Sequence, residues 1–195
     1  MIIGKTALLV IDMQNDFIGK SAPCPCPGAE DIIPRIKNLI AACRKADIPV
    51  IYTVEVHRPS GIDSGHERRT HCFTGSYGAA ICDALTPAED EVVISKTRYD
   101  AFMDTDLSHV LHGYNVRAND TLIICGLATN ICVHYTCAGA FQRDYHFRVI
   151  EDCCAGYSKG LHDSALENLN ILENGSRLSL ADILGDISLY RGKNQ

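Results

Sequence analysis

The apolar and polar positions divide the chain into short continuous runs separated by helical stripes. Thr6 to Ile11 (TALLVI) is an unbroken apolar run, as expected of a strand covered on both faces of a parallel sheet. From Ala29 to Ala46, Ile32, Ile33, Ile36, Leu39, Ile40 and Cys43 recur at three- and four-residue spacing, which predicts an amphipathic helix. Pro34 falls near its start, where a missing N–H costs little. Ile48 to Val54 predicts a second buried strand, so the opening reads as strand–helix–strand with a right-handed crossover.

The same alternation continues to the end. Strands are expected at Glu91–Ser95, Thr121–Cys125 and His146–Ile150, the last followed by Glu151-Asp152. Helices are expected at Asp106–His112, Asn130–Arg143 and Leu161–Glu173, then a short strand at Arg177–Leu180 and a helical turn at Ala181–Leu184. No internal repeat, linker or low-complexity tract interrupts the pattern. The expectation is one domain over residues 1–195, of α/β class: a single doubly wound, mostly parallel sheet with helices on both faces (Rossmann-like, three layers).

A chain of 195 residues can bury a core without staples. Its net charge of -6, with no Lys/Arg run, argues against a nucleic-acid partner. No stretch approaches the length of a membrane span and the start lacks a signal pattern, so a cytoplasmic protein away from membranes is expected. The ten cysteines exceed ordinary usage, yet disulfide frameworks belong to smaller chains. Cys43, Cys125 and Cys137 sit in apolar runs and read as small buried hydrophobes. Cys24-Pro-Cys26-Pro and Cys153-Cys154 lack the paired C-x-x-C spacing of zinc sites and are given no metal or redox role.

Chemistry concentrates where strands end. In Ile123 to Tyr135 (IICGLATNICVHY) an apolar strand turns sharply into a helix with Cys132 in its first turn. The free N–H groups and positive dipole end of that helix are expected to favour the thiolate, the nucleophilic form. Asp12 follows the first strand and Lys96 the third, so an open α/β sheet brings all three to one crevice. Singly, each reads as a loop carboxylate, a surface charge and a buried small hydrophobe; their shared placement is the case for an enzyme. Asp16 reads as a loop carboxylate. In the expected reaction Cys132 attacks a carbonyl carbon, Asp12 takes its proton, and Lys96 holds Asp12 ionised. Asp12 then protonates the leaving amine and activates water against the thioester, so no histidine base is needed.

Glu55 to Gly78 is the longest irregular stretch, and loops of that length are often functional. Three readings stay open for it: a metal site from Glu55, His57 and His71, an anion clamp from Arg58, Arg68 and Arg69, or a solvated polar loop that also carries His66.

LLVIDMQNDF, ISKTRYDAF and GLATNICVHYT, in this order, resemble the isochorismatase-like cysteine hydrolases, which include nicotinamidases, carbamoylsarcosine amidohydrolases and ureidoacrylate or biuret hydrolases. HCFTGSYGA and VIEDCCA are weaker matches. The resemblance implies an Asp12–Lys96–Cys132 triad, a non-proline cis peptide at Leu127–Ala128, and an oxyanion hole from the N–H groups of Ala128 and Cys132. It places Phe17, Glu55 and Tyr99 at the substrate. Isochorismatase proper lacks the cysteine, so Cys132 points to C–N hydrolysis of a small amide. Nicotinamidases of this type bind a metal through Asp-x-His and a further histidine. Here Glu55-x-His57 and His71 stand in a similar pattern but with Glu in place of Asp, and EVHRP and KTRY look more like the ureidoacrylate and biuret hydrolases. A metal-independent enzyme without cofactor is therefore expected, and family analogy implies a homo-oligomer. The rivals are a metal-dependent nicotinamidase and a non-catalytic member that binds a ligand or partner through the same crevice. A redox pair of Cys132 with Cys137 is weaker, since five residues put them on different helix faces.

Overall fold

The computed structural model describes residues 1–58 and 70–190. Six strands form one sheet in the order β3-β2-β1-β4-β5-β6, and every pairing is parallel. They are β1 (Thr6–Ile11), β2 (Val50–Glu55), β3 (Val92–Lys96), β4 (Thr121–Leu127), β5 (His146–Ala155) and β6 (Arg177–Leu178). The helices are α1 (Ala29–Lys45), α2 (Leu107–Gly113), α3 (His134–Phe141), α4 (Lys159–Leu172) and α5 (Leu180–Leu189). This is the doubly wound α/β architecture expected, with α1 packed on α5 and α3 on α4. Among the described residues no helix is long and apolar enough to cross a membrane.

The continuous apolar runs are continuous because the strands are buried on both faces. Every residue of β1, β2 and β4 is buried. The stripe of α1 buries Ile32, Ile36, Leu39, Ile40 and Cys43. Each large aliphatic side chain so removed from water contributes about 1.5–3 kcal/mol, which holds α1 on the sheet.

Strand order reverses between β1 and β4, and a crevice opens outside the carboxyl ends of strands at such a switch point. Backbone conformation is specialised there. Asp12, just past β1, has φ +48. Gly126 of β4 has φ +114, and a Cβ on it would lie 2.1 Å from the carbonyl oxygen of Ile11. Only glycine lets β4 approach β1 so closely at that point.

Three elements differ from the sequence expectation. β5 runs to Ala155 instead of ending at Ile150, because its register against β4 slips between Ile124 and Gly126. The polar pair Glu151-Asp152 sits inside the strand: Glu151 bonds Arg177, and Asp152 accepts the Leu180 N–H at 2.7 Å. α5 is a full helix rather than a turn, started by a capping box in which the Ser179 and Asp182 side chains bond each other's backbone N–H. The helix expected from Asn130 opens as a π-helical turn, Thr129–Val133, before α3 proper.

Candidate active site

Lys96 is the last residue of β3, in register with Glu55 at the end of β2. Its side chain lies buried across β2, and its ammonium reaches three partners. Nζ stands 2.6 Å from Asp12 Oδ2, donates to the Arg98 carbonyl at 3.1 Å, and donates to Cys132 Sγ at 3.4 Å. Asp12 is fixed from its other side by the Thr53 hydroxyl, which donates to Oδ1 at 2.6 Å. The strands β3, β2, β1 and β4 therefore converge on one cluster, in which Asp12, Thr53, Lys96 and Cys132 are all buried.

Burial by itself would lower the Lys96 pKa, but the charge of Asp12, with Cys132 and Glu55 beside it, drives it above the usual lysine range. Lys96 stays an ammonium. Cys132 goes the opposite way from the sequence expectation. Burial pushes its thiol well above the ordinary value; Lys96 pulls it back, while the negative charge of Asp12 and Glu55 adds to the rise. Desolvation is the largest of these causes, so the direction is toward the thiol, opposite to the thiolate expected from the turn.

Carboxylate oxygens of Asp12 and Glu55 and the Cys132 sulfur lie within 4.8 Å of one another. Asp12, Phe17, Glu55, Tyr99, Ala128 and Cys132 all line one cavity of about 150 Å³. Every residue expected to act there lines it except Lys96, which lies behind it. The Leu127–Ala128 peptide is cis.

Sequence reasoning missed several walls. Cys24, Cys26 and Tyr157 line the cavity too, with Cys24 Sγ 3.5 Å from Tyr157 Oη. Burial, then the neighbouring Cys24, pushes the Cys26 thiol up to about 12, so it serves as an apolar wall. Gln14 was also missed. Buried, it donates to the carbonyls of Glu55 and Ala79 and accepts the Glu55 N–H, each at 2.8 Å, fixing the end of β2. Nothing local marks these residues: their placement depends on how distant loops meet.

Glu55, His57 and His71 bring one oxygen and two ring nitrogens within 4.8 Å of each other. His57 Nε2 is 2.6 Å and His71 Nε2 3.8 Å from Glu55 Oε1, and the His71 ring stands edge-on to Phe17. Burial alone would raise the Glu55 pKa, but the hydrogen bond with His57, the nearby His71 and the charge of Lys96 hold it below the usual carboxylate range. One carboxylate and two imidazoles suit a divalent ion by donor type. The Glu55–His57 contact is here a hydrogen bond, whose proton an ion would replace. His57 Nδ1 is buried and has no partner among the described residues, where a metal-bound histidine ordinarily donates that N–H. Of the Arg clamp, one of the three open readings, Arg58 is exposed and Arg68 and Arg69 lie outside the described residues, as does His66.

Known proteins share this arrangement of elements. Ureidoacrylate amidohydrolase RutB of Methylobacterium radiotolerans is 31% identical over 191 residues, which span 84% of this chain and 72% of that one. A protein of Arabidopsis thaliana named as a probable inactive nicotinamidase is 35% identical over 167 residues, 80% of this chain and 84% of its own. The crystal structure of an isochorismatase-like hydrolase from Alkaliphilus metalliredigens superposes with a TM-score of 0.86 at 32% identity, covering 94% of this chain and 99% of that one. The Isochorismatase domain family model matches residues 6–181, and this chain belongs to the isochorismatase family.

Proposed function

We propose that this chain is a cysteine amidohydrolase that cleaves the C–N bond of a small amide or carbamoyl compound. The observation that carries the reading is the contact set of one buried lysine with both Asp12 and Cys132 on the wall of a cavity. Sγ of Cys132 attacks the carbonyl carbon as Asp12 takes the thiol proton, so the nucleophile forms only with substrate in place. Backbone N–H groups of Ala128 and Cys132 receive the developing oxyanion. Asp12 returns the proton to the leaving nitrogen, and the tetrahedral adduct collapses to a thioester with release of ammonia or an amine. Asp12 then deprotonates a water that attacks the thioester, and the acid leaves as Cys132 recovers its proton. Throughout, Lys96 balances whichever of Asp12 and Cys132 carries negative charge.

Glu55, held ionised on the cavity wall, offers an acceptor for a substrate N–H, and Phe17 and Tyr99 supply apolar sides. A ureido or carbamoyl compound meets that wall well, consistent with the ureidoacrylate activity named for one relative. Were a divalent ion held by Glu55, His57 and His71, it would supply Lewis-acid polarisation near the substrate. Our reading does not require it, because Lys96 and the turn already balance the charges that develop.

A non-catalytic role, suggested by the relative named inactive, fits the site less well. Burying a lysine and an aspartate costs several kcal/mol per ion in desolvation, which a plain binding cavity has no need to bear.

The test is ammonia release from nicotinamide, ureidoacrylate, biuret, carbamoylsarcosine and maleamate, with Cys132→Ala as control. Release that the variant abolishes supports the reading. Release that persists in the variant overturns it.

A further inference from the structure

The turn carrying Cys132 is held from outside the cavity. Thr129, its first residue, is fully buried, and its hydroxyl lies 2.8 Å from Nδ1 of His162 on α4. Asn130, the second, accepts the Tyr157 N–H through Oδ1 at 3.2 Å. The β5–α4 connection and α4 itself thus hold the turn by two consecutive side chains. The fit is close at Gly156, where a Cβ would stand 3.0 Å from Asn130 Oδ1 and 3.1 Å from His162 Cβ. Within the turn, the Ala128 carbonyl accepts from both Ile131 and Val133, at 2.9 and 3.2 Å. His162 does not line the cavity.

We propose that His162 is a positioning residue for the nucleophile turn: by accepting the Thr129 hydroxyl it fixes where Ala128 and Cys132 stand relative to Asp12. The inference rests on the reading of Cys132 as the nucleophile. Burial lowers the His162 pKa, so the ring is neutral near neutral pH and Nδ1 can accept. The bond joins α4, otherwise remote from the chemistry, to the residue beside the expected oxyanion donor. A misplacement of about 1 Å at a reacting atom can cost on the order of a hundredfold in rate, so a single anchoring bond is enough to matter.

The test uses His162→Ala, His162→Asn and Thr129→Val in the full chain, with three readouts. These are labelling of each cysteine by iodoacetamide followed by peptide mass, kcat and KM for a hydrolysed amide, and the melting temperature. His162→Ala and Thr129→Val are expected to slow Cys132 labelling and kcat by about tenfold or more, with KM within about threefold. The double variant should be no slower than either single one, since both remove the same bond. His162→Asn, whose amide oxygen can accept from Thr129, should recover most of the rate. A folded His162→Ala variant with lower melting temperature but labelling and kcat within about twofold of the parent would make the bond merely structural and overturn the inference. If His162→Ala does not fold, Thr129→Val removes the bond while leaving the ring in place, and decides. Failure of the underlying reading has its own signature: Cys132→Ala would hydrolyse the amide as fast as the unaltered chain, and the inference would fall with it.

Discussion

Lys96 and Asp12 form an ion pair of 2.6 Å although β2 lies between the strands that carry them. Both side chains are buried, and the same ammonium touches Cys132. The pair is therefore the link between two sides of the sheet as well as the charge balance of the site.

Breaking that pair from one side strands a buried charge. Asp12→Asn and Lys96→Met are each expected to destabilise the fold by about 3–5 kcal/mol, and the double variant by less than the sum. Urea unfolding of the four proteins measures this. Strict additivity would show that the two residues do not interact.

Asp12→Asn should also lower kcat by about 10²–10⁴, because Glu55, the other carboxylate near Sγ, is held below the usual carboxylate range and is a weak base. KM should change little. Steady-state kinetics on a hydrolysed amide reads both values, and a fall confined to KM would remove Asp12 from the chemistry.

The Cys132 thiol is raised by burial, so its thiolate appears at higher pH than that of a free cysteine. The sign follows from desolvation: the charged form is the one that loses, so the proton is held longer. The difference in thiolate absorbance between the parent and Cys132→Ser should stay flat through neutral pH and rise only above about 8.5, the ordinary thiol value. Lys96→Met should move the rise further up. A step below neutral pH would mean a preformed thiolate and a different first step.

Gly126→Ala tests the close approach of β4 to β1. Positive φ and a Cβ 2.1 Å from the Ile11 carbonyl oxygen together should cost at least about 3 kcal/mol. Thermal unfolding checks it; an unchanged melting temperature would contradict the backbone geometry at the switch point.

Chelation separates the two readings of Glu55, His57 and His71. Turnover is expected to survive exhaustive treatment with a chelator, and added divalent ions should not raise it. Loss on chelation with recovery on adding one ion would assign those three residues as its ligands.

The strands and their order of use were legible because strands buried on both faces leave continuous apolar runs, as Thr6–Ile11 does. Placement of Asp12, Lys96 and Cys132 followed from one rule, that strand ends share an edge. What escaped was set by contacts between distant segments. Glu151-Asp152 looked like the end of β5, yet those polar residues belong inside it because Arg177 and the start of α5 bond them. The rise in the Cys132 pKa was not legible because its position in the sequence showed the turn but not its burial. Cys24 and Tyr157 meet across the cavity from loops 133 residues apart, which no local pattern records.

The most direct measurement is mass spectrometry of acid-quenched protein during steady-state turnover of an amide it hydrolyses. The central claim requires an added mass equal to the substrate's acyl group, carried on the peptide holding Cys132 and released by hydroxylamine. Acylation of any other residue, or full turnover by Cys132→Ala, would contradict it.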